Sequence, residues 1–113
     1  MKVQIFYQEF RKNAWVGLSG TPVYEPNTAT LINEGNVACG SEEEACDHLF
    51  QIYNINLDNV FHTFPGAREQ MMRAGHSSMS VGDYIRFPAT GNVYICCSIG
   101  WKLMATTLVP VPN

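Results

Sequence analysis

Between Ser80 and Met104 the chain is cut into three short strand-like runs by turn-forming residues, and that spacing admits few folds. Ser80-Val81-Gly82-Asp83 launches residues 84–87, and Pro88-Ala89-Thr90-Gly91-Asn92 separates them from residues 93–97. Ser98-Ile99-Gly100 then leads into residues 101–104. Apolar and aromatic runs this short, joined by such breaks, pair with their chain neighbours as an antiparallel hairpin or meander over about 84–104. The tail Val109-Pro110-Val111-Pro112 cannot extend it as a central strand, because proline donates no amide hydrogen.

A helix is predicted from about 41 to 53. Ser41 can accept hydrogen bonds from first-turn amides, and Glu44, three residues on, completes a capping box. Glu42, Glu43 and Glu44 sit at the positive end of the helix dipole. Cys46, Leu49, Phe50 and Tyr53 recur at the spacing of one buried stripe, while Glu43, Asp47 and Gln51 fall on the wet face. Asn54 is expected to stop the helix in a left-handed conformation.

Elsewhere the pattern is weaker. Val3, Ile5 and Tyr7 alternate as an opening strand, with Phe6 suggesting burial on both faces. Residues 14–18 read as a second strand ended by Gly20 and Pro22, and residues 21–29 read as loop. Residues 30–32 and 36–39 suggest two short pieces around Asn33-Glu34-Gly35, and residues 67–74 a short helix ended by Gly75. Together these predict a single α+β domain over residues 1–113: a small antiparallel sheet with one main amphipathic helix.

Charge bounds the function. Only 15% of residues are charged against 46% hydrophobic, so uncharged surface is left for a partner or for self-association. The net charge is −3 and the seven Lys and Arg are scattered, which gives no basic stripe for a phosphate backbone and argues against nucleic acid. No apolar run approaches the roughly 20 residues that span a bilayer, and no leader-like run opens the sequence. The chain is therefore expected in the cytoplasm and off the membrane, with Cys39, Cys46, Cys96 and Cys97 as thiols.

The polar residues do not assemble a known catalytic device. The cysteines, with His48, His62 and His76, lack paired metal-chelating spacings, so no metal or other cofactor is expected. Cys96 or Cys97 could meet His76 if the hairpin folded over the segment before it, but no nucleophile signature marks either thiol. Asp83 after Ser-Val-Gly reads as a turn carboxylate that caps backbone amides, and Ser77, Ser78 and Ser80 as turn residues. Tyr84, Tyr94 and Trp101 could form a stacking platform, with Arg86 and Lys102 as the nearby cations.

Three runs resemble the YodL-like domains of bacterial mobile elements: Leu49-Phe50-Gln51-Ile52-Tyr53-Asn54, His76 to Ile85, and Tyr94 to Trp101. That family shows a Leu-Phe-x-x-Phe/Tyr-Asn helix end, an Arg/His-Ser-x-Ser-Val-x-Asp-x-Ile/Val turn and strand, and Tyr-x-Cys-Asp-Ser-x-Gly-Phe. Here Cys97 replaces the Asp of the last run and Trp101 its Phe. The family has no established activity. The resemblance implies an accessory protein of a plasmid, integrative element or phage, in a setting rich in anti-restriction and other counter-defence genes.

The expectation is thus a non-enzymatic module that binds a host or element-encoded protein, with Ser78, Ser80, Asp83, Arg86, Gly100 and Trp101 as its candidate interaction surface. Its rivals are a nucleic-acid module using the C-terminal sheet and a Cys/His-dependent enzyme.

Overall fold

The computed structural model describes residues 1–9, 22–55, 58, 60 and 66–105. Five strands form one antiparallel sheet: β1 (Lys2–Tyr7), β2 (Thr30–Asn36), β3 (Tyr84–Phe87), β4 (Asn92–Cys96) and β5 (Trp101–Ala105). The spatial order is β2-β1-β3-β4-β5, so the predicted meander forms one half of the sheet and β1 joins it to β2. With helices α1 (Glu42–Ile55) and α2 (Gly66–Ala74), this is a small α+β fold. The strand expected over residues 14–18 and the proline-containing tail lie outside the described residues.

Side-chain alternation in β1 sets the two layers. Val3, Ile5 and Tyr7 face the helices and pack with Cys46, Leu49 and Tyr53 of α1, Met71 of α2, and Ile85, Phe87 and Tyr94 of the meander. On the opposite face Phe6 stacks on Tyr84 at 4.8 Å, and Tyr24 meets Tyr84 edge-on at 5.0 Å. Val93 and Ile95 complete that smaller cluster. Phe6 is thus half-buried on the second face of a sheet apolar on both sides.

α1 begins as its cap predicts, with Ser41 Oγ accepting the Glu44 amide at 3.1 Å. Two details differ from the sequence reading. The helix passes through Asn54, whose side-chain amide donates to the Phe50 carbonyl at 2.8 Å, so it prolongs the last turn and α1 ends at Ile55. Phe50 is not in the buried stripe: it is 38% exposed at the flank and meets Trp101 edge-on at 6.3 Å.

β2 also corrects an expectation. One strand runs straight through Asn33-Glu34-Gly35, pairing Ile5 with Asn33, Gln4 with Glu34 and Val3 with Gly35. Turn-prone residues are held in the ladder because Val3, Gln4 and Ile5 of β1 pair with them in unbroken register, the irregularity falling beyond them at Ile32.

Candidate functional site

Asp83 lies at the centre of the main polar cluster. Tight turning at Gly82 (φ 96°) and the pairing of Gly82 N with Cys96 O at 2.8 Å place the Asp83 side chain beneath the sheet's end. Its Oδ2 accepts the Ser80 amide at 2.7 Å and meets His76 Nε2 at 2.8 Å; its Oδ1 accepts the Gln8 amide at 2.9 Å. The carboxylate therefore does what the turn chemistry predicts, and it also reaches across the fold to β1's end and to His76.

The surrounding groups fix this arrangement. Tyr7, fully buried, lays its ring flat on His76 with centroids 4.6 Å apart and planes 6° from parallel, and its hydroxyl donates to the Ser77 carbonyl at 3.0 Å. Gln8 uses its side-chain amide to donate to the carbonyls of Val23 and Gly82, and its Oε1 accepts the Glu25 amide at 2.6 Å. Burial pushes the Asp83 carboxyl above its ordinary value, opposed by His76 and the Ser80 and Gln8 amides. Burial, with Asp83 nearby, pushes the Tyr7 phenol far up.

This geometry is suited to holding and poorly suited to catalysis. His76 Nε2 is taken by Asp83 and Nδ1 is buried, so neither ring nitrogen is presented to a substrate. Ser80 Oγ donates to the Ser78 carbonyl at 3.0 Å, which spends that hydroxyl on the turn. His76 meets Asp83 rather than a thiol. Cys96 Sγ contacts the Cys97 carbonyl at 3.7 Å, and burial drives its pKa up to about 12, far from the thiolate a nucleophile needs. Among the described residues, no three His, Cys, Asp or Glu side chains come together in a group that could hold a metal ion.

The six residues expected to form one surface divide between interior and exterior. Asp83 is 1% exposed and Arg86 7%, so neither is a surface contact. Asp83 is withdrawn by its hydrogen bonds. Arg86 sits on central strand β3 opposite Gln4, donates to Gln4 Oε1 at 2.7 Å, and Gln4 in turn donates to Glu34 Oε2 at 3.1 Å. Ser78 and Ser80 are half-buried, Gly100 is exposed and Trp101 is half-buried. The stacking platform is not assembled: Tyr84 and Tyr94 lie on opposite faces, both buried.

What the exterior offers is an apolar strip at the β5 edge. Trp101 and Leu103 share the helix-side face, Phe50 of α1 meets the Trp101 ring, and Ile99 projects from the preceding turn. Leu103 is 47% and Ile99 76% exposed. The sequence assigns Phe50 to the buried stripe and not to a surface, and it does not single out Leu103. A helix-stripe position next to the outermost strand was the available signal, but it required knowing that β5 is an edge.

A second polar anchor ties α1 to the β3–β4 hairpin. Glu42 accepts from Thr90 Oγ1 and Asn92 Nδ2, each at 2.7 Å, and from the Tyr94 hydroxyl at 3.0 Å. Burial alone would raise the Glu42 carboxyl; the three hydrogen bonds outweigh it and hold it below its ordinary value.

Comparison with known proteins supplies no relative: no family model, no curated protein and no solved structure matches the chain.

Proposed function

We propose that this chain is a non-enzymatic protein-interaction module that binds its partner along the β5 edge. The observation that carries the reading is the strip of Phe50, Ile99, Trp101 and Leu103 beside a strand that, among the described residues, pairs only with β4. An open edge offers backbone donors and acceptors for strand addition, and flanking apolar side chains give such pairing its specificity. The polar cluster around Asp83 supports the same reading from the other side, since its groups are engaged in holding the fold.

The partner in this reading is a host or element-encoded protein met in the cytoplasm. A counter-defence role for a plasmid or phage accessory protein is its specific form, and it rests on the three motif runs. Among the described residues, no helix is long and apolar enough to cross a membrane. The nucleic-acid alternative is weakened by the burial of Arg86, and the thiol-enzyme alternative by the burial of Cys96.

A photo-crosslinking residue at Leu103, introduced in cells of a bacterial host, tests the proposal. It should capture a distinct protein, and Trp101→Ala should abolish capture. The same probe at exposed Met72, which lies on α2, should capture nothing specific. Equal labelling from both positions, or none from Leu103, removes the β5 edge as the binding surface.

A further inference from the structure

A groove of about 320 Å³ opens between β2 and α1, away from the β5 edge, with Val3 and Ile5 as its floor and Leu49, Ile52 and Tyr53 on its helix side. That volume falls at the lower end of the range of small-molecule sites, which run from about 300 to 1,000 Å³. Two independent features mark it out from an ordinary surface dent.

The first is Gly35. Glycine within a strand weakens it, and where it persists it commonly marks a bulge, a bend or a close approach by something else. Gly35 pairs directly with Val3 in an unbroken part of the ladder, so no bulge explains it. Its φ is not positive, and a Cβ at that position would meet nothing within 4 Å. Neither backbone conformation nor crowding requires glycine there. Its effect is to leave the groove open beside Val3.

The second is Tyr53. Its side chain is 2% exposed, and its hydroxyl accepts the Asn33 side-chain amide at 3.2 Å. A phenol also donates one proton, and among the described residues no acceptor takes it. Asn33 cannot serve, because its own Oδ1 already accepts the Glu34 amide at 2.9 Å and its Nδ2 is the donor. A buried phenol on the wall of an apolar groove thus has one donation to give.

We infer that the groove between β2 and α1 binds a small, uncharged, mostly apolar molecule carrying one hydrogen-bond acceptor, which takes the Tyr53 proton while its body lies over Val3 and Ile5 beside Gly35. The uncharged class follows from the lining: among the described residues no Lys or Arg borders the groove, and its one basic side chain, His48, is solvent-exposed, so a carboxylate buried over Val3 and Ile5 would have no permanent counter-charge beside it. The site is independent of the proposed protein-binding edge.

The test is an amide NMR titration of the full chain with three probes of similar size. Acetophenone is uncharged with an acceptor, ethylbenzene lacks the acceptor, and benzoate carries a charge. Acetophenone should shift the Gly35, Leu49 and Tyr53 amides saturably, with benzoate at least about tenfold weaker, the cost of an unpaired buried charge. Tyr53→Phe should weaken acetophenone about 2- to 10-fold and leave ethylbenzene unchanged, as loss of one neutral hydrogen bond requires. Gly35→Val, which the backbone tolerates, should abolish binding of both uncharged probes while the remaining spectrum stays folded. Undiminished binding to a folded Gly35→Val, or acetophenone shifts confined to other amides, overturns the site. Benzoate binding as tightly as acetophenone overturns the uncharged class.

Discussion

His76 Nε2 lies 2.8 Å from Asp83 Oδ2, and this contact fastens the segment after α2 to the start of β3 around a carboxylate that is 1% exposed. The Tyr7 ring covers His76, and the Gln8 amide binds the other carboxylate oxygen, so β1's end is gathered into the same cluster. One side chain thus gathers the local 76–83 segment and ties it to the end of β1, 75 residues away in sequence.

Replacing Asp83 by Ala should destabilise the fold by about 3–5 kcal/mol, since it strands buried donors and one partner of a buried pair. Asp83→Asn keeps an acceptor for one side of the cluster and should cost about 1–3 kcal/mol. Urea unfolding at neutral pH checks both. An Ala variant as stable as the parent would show that the cluster contributes nothing to the fold.

Much of this architecture could be read from residue patterns. The meander, the α1 cap and the alternation in β1 each depend on local chemistry: breakers between apolar runs, a hydroxyl before the first turn, a period of two. The cap role of Asp83 toward Ser80 is equally local. What could not be read are relations set by strand order. Arg86 and Gln4 are both polar and would be assigned to solvent, yet β1 pairs with β3 and they bury each other. Gln8 bonds across to the 22–25 segment and to Gly82, and nothing in its neighbours announces either partner. Phe50 follows the helical stripe but lies over the sheet's flank, so periodicity assigned it to the core while topology left it exposed.

Two carboxylates should give opposite pH signatures. Glu42 is held below its ordinary value of 4.5, so its stabilising contribution is present above that value and is lost as pH falls through the lower folded value. Asp83 is raised above its ordinary 3.8, so its ionisation opposes folding, and stability falls as pH rises through its folded value. Glu42→Gln should therefore cost about 0.5–1 kcal/mol at pH 7, discounted for partial exposure, with the difference from the parent vanishing in acid. For Asp83→Asn the parent should gain relative to the variant as pH falls. Chemical unfolding from pH 3 to 7 separates the two. A Glu42→Gln deficit that grows in acid would reverse the assigned sign.

The four thiols should react in two classes. Cys46 and Cys96 are buried, at 0% and 3% exposure, and burial raises both thiol pKa values. Cys39 and Cys97 are half-buried. Under native conditions at pH 8, iodoacetamide should modify Cys39 and Cys97 first, with Cys46 and Cys96 reacting only through opening of the fold. Peptide mass spectrometry over a time course reads the order, and mild denaturant should accelerate the slow pair selectively. Fast labelling of Cys96 in the native protein would return it to consideration as a nucleophile.

The turn that presents Trp101 should be more tolerant than the turn that presents Asp83, although both contain a left-handed glycine. Gly100 has φ 71°, and a Cβ there meets nothing within 4 Å, so Gly100→Ala should cost only the backbone term, about 1–2 kcal/mol. Gly100→Asn should recover part of that, because Asn enters the left-handed region more readily than other side chains. Gly82 has φ 96° and is buried, with its amide bound to Cys96 O and its carbonyl to the Gln8 side chain. A side chain there meets the same backbone strain and also disturbs the Asp83 cluster, so Gly82→Ala should cost clearly more than Gly100→Ala. Thermal unfolding of the pair measures the difference directly. Equal costs would mean that the interior turn carries no more of the fold than the exposed one, and that the Asp83 cluster adjusts freely around it.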